Sequence, residues 1–251
     1  MSGPASSVAD REQGIARLVF VVSLLATTAL YALPPLRVLA YPLLLISTLV
    51  HEMGHGLAAV LAGGEFVSFE LYSDGSGVAR TAVADSRVTR AVVAAGGLVG
   101  PSIAAAVSFL VGRRPGPSRV FLTVLSVGLL SALVLVVRNP FGVIFVGSFA
   151  LALGGLALKA GSRAAQIALV FLGTQLGLSV FSRGDYLFSD RAATSAGSMP
   201  SDVASMSDAL LLPYWVWGFV CGAISVAALI VGARALWRKS ARPLDGGNAR
   251  V

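Results

Sequence analysis

Over most of this chain the apolar positions do not alternate with polar ones but run on. Near-continuous hydrophobic stretches cover residues 17–33, 38–62, 89–111, 119–137, 141–158, 163–181 and 213–236. A hydrocarbon core about 30 Å thick needs about 20 helical residues to cross it, and each stretch is of that order. The pattern predicts an all-α polytopic membrane protein with about six to seven transmembrane helices. One segment departs from it. Val67, Phe69 and Leu71 alternate with Ser68, Glu70 and Tyr72 ahead of an Asp74-Gly75 turn, which predicts a small β hairpin after the second helix.

The polar breaks define the organisation. Residues 1–16 read as a disordered N-terminal head, 17–236 as one membrane domain and 237–251 as a basic tail. The first apolar run follows Arg17 in the order of a signal peptide, but it lacks an A-x-A cleavage site and leads into Leu33-Pro34-Pro35, so we read it as a retained helix. Runs four and five are separated only by Arg138-Asn139-Pro140, which predicts a tight helical hairpin or a break shielded by protein. In run three, AAGGLVGPS (94–102) offers small side chains for close helix contact, and Pro101 offers a kink. The longest polar stretch, 182–212, is of a length often functional or disordered.

Composition agrees: 56% of residues are hydrophobic, 12% are charged and the mean hydropathy is +0.82, against about 25% charged in soluble domains. The net charge of +7 resides in short loops and the tail, so it reflects membrane placement and gives no reason to expect nucleic acid. The basic residues divide too evenly between the two sides to orient the chain. The single cysteine, Cys221, lies in the last run; it excludes intramolecular disulfides and reads as a packing residue.

Within run two stands His51-Glu52-Met53-Gly54-His55. The chain has two histidines, both in this motif, and Glu52 is the only acidic residue inside any of the seven runs. A titratable group at membrane depth costs about 2.5 to 3.5 kcal/mol on insertion scales, so the cluster calls for a compensating function. In a helix, positions i and i+4 lie on one face, so His51 and His55 can bind one metal ion, for which zinc is suited. Glu52, about 100° further round, flanks such a site as a general base that takes a proton from the attacking water and passes it to the leaving amine. An ion transporter would need further polar groups along a path, and none is visible.

An H-E-x-G-H motif in a membrane helix, followed by a β hairpin and further helices, resembles the site-2 protease family of intramembrane zinc metallopeptidases, in its small bacterial and plant branch. The layout matches over roughly residues 38–160. The resemblance implies a multi-pass protein, expected in a bacterial cell membrane. It implies Zn2+ at His51 and His55, Glu52 as catalytic base, and cleavage of peptide bonds in or near membrane segments of other proteins. The family's third ligand is an aspartate in N-P-D-G or L-D-G. Here the matching place reads Asn139-Pro140-Phe141-Gly142, and Phe141 cannot ligate. That departure keeps a second reading open, a non-catalytic scaffold retaining the protease fold.

A third donor must then come from elsewhere. Asp208, just before the last helix, is the leading candidate; Asp185 is second, and Asp190 and Asp202 look more solvated. Asn139 has two compatible readings, as the cap of the next helix with Pro140 in its first turn, or as a substrate-binding group facing the active site. The strand over residues 65–72 offers an edge to which an extended substrate could add.

Overall fold

In a computed structural model of the chain, residues 4–33, 36–182, 187–195 and 197–238 are described. The helices are α1 (Pro4–Ala32), α2 (Arg37–Leu61), α3 (Arg87–Val111), α4 (Pro115–Leu135), α5 (Pro140–Lys159), α6 (Gly161–Ser182), α7 (Asp202–Leu210) and α8 (Tyr214–Trp237). All but α7 are long and apolar enough to span a bilayer. The strands form two hairpins, β1 (Glu65–Leu71) with β2 (Gly77–Ala82), and β3 (Arg191–Thr194) with β4 (Gly197–Pro200).

The predicted disordered head is helical from Pro4 onward, because its Arg, Glu and Gln residues are good helix formers and the helix is anchored. Gln166 of α6 donates Nε2 to the backbone oxygens of Glu12 and Gly112. Most of the expected tail, from residue 239, lies outside the described residues.

The small residues of run three do what their size permits. Gly54 of α2 and Gly96 of α3 approach so closely that a Cβ on Gly54 would sit 2.3 Å from the Gly96 oxygen. Pro101 lies inside α3 and is buried. A large core joins α1 to α6 and β1, with Phe69 and Leu71 inaccessible to solvent. A second cluster packs Val203, Met206 and Ala209 of α7 against Ala91, Ala94 and Leu98 of α3 and Cys221 of α8. Cys221 is thus the packing residue its place in the sequence suggested.

The break between α4 and α5 becomes part of a sheet. Phe69 donates its N–H to the Val136 oxygen at 2.7 Å and accepts from the Arg138 N–H at 3.0 Å. Asn139 continues the pattern with its side chain: Oδ1 accepts from Leu71 N–H at 3.1 Å and Nδ2 donates to the Leu71 oxygen at 2.6 Å. Residues 136–139 therefore cover the outer edge of β1 at Phe69 and Leu71. The edge left facing away from β1 belongs to β2, not to the 65–72 strand expected from sequence.

Candidate metal centre

The α2 helix places His51 and His55 one turn apart, with their Nε2 atoms 3.2 Å from each other. His55 Nδ1 lies 2.8 Å from the Val93 carbonyl oxygen of α3. A carbonyl only accepts, so Nδ1 carries the proton and Nε2 keeps its lone pair for a metal. Gly97 makes room for this arrangement: a Cβ there would lie 2.2 Å from the His55 ring.

The third member of the cluster is Asp202, the first residue of α7. Its Oδ2 lies 3.1 Å from His51 Nε2 and its Oδ1 3.3 Å from His55 Nε2. Asp202 Oδ2 is buried and no aligned hydrogen-bond donor reaches it. Among the described residues, these three form the one group of His, Cys, Asp or Glu side chains whose donor atoms can share an ion. Zinc holds nitrogen and oxygen ligands at about 2.0–2.1 Å in a tetrahedron, whose ligand–ligand edges are then about 3.3–3.4 Å. The two imidazole nitrogens, 3.2 Å apart, are close to that figure, the two oxygens of Asp202 lie 3.1 and 3.3 Å from one imidazole each, and two imidazoles plus a carboxylate are a donor set zinc accepts. The residues present fit the metal.

The leading sequence candidate is displaced. Asp208 is exposed on α7, six residues on from Asp202. At 100° and 1.5 Å per residue it points about 120° away and sits about 9 Å along the axis. Asp190 precedes β3, is exposed and is not part of the cluster, and Asp185 lies outside the described residues. A signal for Asp202 was present in the sequence. Ser201 is followed by apolar residues at 203, 206, 209 and 210, an N-cap before an amphipathic turn. In the structure Ser201 Oγ accepts from Ala204 N–H at 3.1 Å and donates to the Ser189 oxygen at 2.6 Å.

Glu52 is buried and stands outside the ligand cluster. Its Oε2 accepts a 2.8 Å hydrogen bond from the N–H of Ala79 on β2. Ala79 sits opposite Phe69 in the hairpin, so this N–H belongs to the edge of β2 that faces away from β1. Gly77 lies beside it, where a Cβ would be 2.9 Å from Glu52 Cγ. Asn139, expected either to cap α5 or to face substrate, is spent on structure: besides clamping Leu71, its Oδ1 accepts from Gly142 N–H at 3.3 Å. Phe141 packs against the main core.

The two hairpin turns touch. Ser195 donates its hydroxyl to Asp74 Oδ2 at 2.6 Å and its N–H to Ser76 Oγ at 3.2 Å. Donors from Ser195 and Ser76 hold the Asp74 carboxyl below its ordinary range.

A family model described as Peptidase M50B-like matches residues 18–232. The chain belongs to the peptidase M50B-like family. The match agrees with the site-2 protease resemblance carried by HEMGH, and with seven apolar helices it makes the chain a multi-pass integral membrane protein. Peptidases of the M50 family are zinc-dependent metalloproteases. No curated protein and no solved structure matches the chain.

Proposed function

We propose that this M50B-like protein is an intramembrane zinc metalloendopeptidase, in which His51, His55 and Asp202 hold the zinc and Glu52 is the general base. The observation that carries the reading is the convergence of two imidazoles and a carboxylate, close enough to share one ion, beside the buried carboxylate of Glu52. Zinc, when bound, supplies Lewis-acid polarisation of the scissile carbonyl and of water. The protein's own groups do the rest. The Val93 carbonyl fixes the His55 tautomer, and Ala79 N–H holds one Glu52 oxygen, leaving the other to accept a proton from water and return it to the leaving amine.

A helical substrate hides its amides, so it must be extended before it can be cut. Ala79 N–H is already given to Glu52, so a substrate strand would pair along the outward edge of β2 on either side of that residue. The substrate class is then a segment of another membrane protein that unwinds at the site. Phe141 alone gave the scaffold reading its force, and Asp202 offers the third donor that Phe141 cannot.

Glu52→Gln tests the proposal. It retains the Ala79 contact and the metal ligands but not the base. The expected result is about one zinc per chain in both proteins, with cleavage of membrane-segment peptides in the wild type alone. Cleavage at the wild-type rate by Glu52→Gln would remove Glu52 from the chemistry, and a zinc-loaded wild type that cuts nothing would favour the scaffold.

A further inference from the structure

A basic cluster forms where α8 ends and α3 turns into α4. Arg17 of α1 donates Nε to the Leu236 oxygen at 2.9 Å and Nη2 to the Trp237 oxygen at 3.2 Å. Arg113, in the turn between α3 and α4, donates Nη2 to the Arg238 oxygen at 3.1 Å. Two guanidiniums thus hold three consecutive carbonyls at a helix end, where backbone oxygens run out of intrahelical donors. Arg114 and Arg238 are exposed beside them.

Capping alone does not call for this gathering. A helix C-terminus carries about half a negative charge, whereas four guanidiniums carry about four positive ones at neutral pH. Partial burial and the like charges of Arg114, Arg238 and Arg17 hold the Arg113 pKa below its ordinary value. Charge that only orients a membrane chain can be spread over its loops; brought together, it repels itself. An anion among the guanidiniums offsets that repulsion, and arginine binds phosphate through paired N–H donors.

The surroundings select the kind of anion. Trp237 closes α8 and is 48% exposed, with the Phe20 ring edge-on to it at 5.4 Å between centroids. Leu18, next to Arg17, is 64% exposed. A tryptophan in the last turn of a spanning helix marks the headgroup level of the bilayer. Cationic and apolar surface therefore lie side by side there, the complement of a molecule that joins a phosphate to hydrocarbon chains. A soluble phosphate needs no apolar neighbour. Basic pockets between spanning helices are a recurrent way of holding anionic headgroups.

We propose that Arg17, Arg113, Arg114 and Arg238 form a binding site for the headgroup of an anionic phospholipid, with Trp237 and Leu18 against its glycerol and upper chains. The site shares no residue with the metal centre, so it stands apart from the peptidase reading.

The test uses the full-length chain in a neutral detergent, titrated with phosphatidylglycerol, phosphatidylcholine or inorganic phosphate and read by native mass spectrometry. Phosphatidylglycerol should bind wild type at least about tenfold tighter than phosphatidylcholine. Arg114→Gln combined with Arg238→Gln removes two charges and keeps the backbone contacts of Arg17 and Arg113; it should lower that preference about tenfold or more. Arg87→Gln removes the same charge from the exposed first residue of α3, at the helix's other end, and should leave the preference unchanged. Equal unfolding temperatures report that the variants are folded. If the double variant unfolds early, Arg114→Gln alone decides, with an expected loss of about fivefold. No preference in wild type, a preference kept in the folded arginine variants, or an equal loss in Arg87→Gln overturns the site. Inorganic phosphate bound as tightly as phosphatidylglycerol overturns the lipid as its ligand.

Discussion

Replacing Asp202 by asparagine removes one charge and one metal donor while leaving the shape of the site unchanged. Asp202 approaches both imidazoles at 3.1 and 3.3 Å, and among the described residues no other carboxylate joins the two histidines in a group that could share an ion. Loss of groups that only support metal ligands costs about 10- to 100-fold in affinity; loss of a ligand should exceed that range. The expected drop is at least about 100-fold, equivalent to about 2.8 kcal/mol at 1.4 kcal/mol per decade. The helix survives, because Ser201 still caps it, and the weakened interaction with the helix dipole costs only about 0.3–1 kcal/mol. The assay is zinc per chain by elemental analysis, followed by competition against a chelator of known affinity, on detergent-purified wild type, Asp202→Asn and Asp208→Asn. Asp208 is exposed and remote from the histidines, so its variant should match wild type. Wild-type zinc affinity in Asp202→Asn, or loss of zinc in Asp208→Asn alone, would refute the ligand set.

Three further outcomes follow from particular contacts. Asn139→Ala leaves the backbone N–H and C=O of buried Leu71 unpaired and uncaps α5; at about 1 kcal/mol for the cap and at least about 1 for each stranded group, unfolding in detergent should show a loss of about 3 kcal/mol. Gly97→Ala drives a methyl into the His55 ring and should weaken zinc at least about tenfold, whereas Gly116→Ala, with nothing within 4 Å of the added Cβ, should leave zinc binding unchanged. Leu211 ends α7 at φ +64° with an exposed side chain. Glycine there relieves about 1–2 kcal/mol of left-handed strain against about 0.5–1 of added chain entropy, so Leu211→Gly should unfold at a higher temperature; an unchanged or lower midpoint would count against the strain.

The sequence by itself determined what depends on local spacing. Seven apolar runs of bilayer length became seven helices, the alternation from Val67 to Leu71 became β1, and HEMGH put two imidazoles on one face of α2, because each pattern is written into neighbouring residues. The third donor is different. Asp202 and His51 are 151 positions apart, and they meet only because α7 lays Val203, Met206 and Ala209 against α3 and α8, turning Asp202 inward and Asp208 out. Proximity to a helix start could not distinguish them; the rotation of α7 about its axis did. Asn139 shows the same division. Its capping role followed from the Pro140 beside it, but its clamp on Leu71 depends on residues 136–139 docking along β1. That docking also moved the open edge of the sheet from β1 to β2. Contacts between distant segments are selected by packing complementarity across the whole chain, which no local period records.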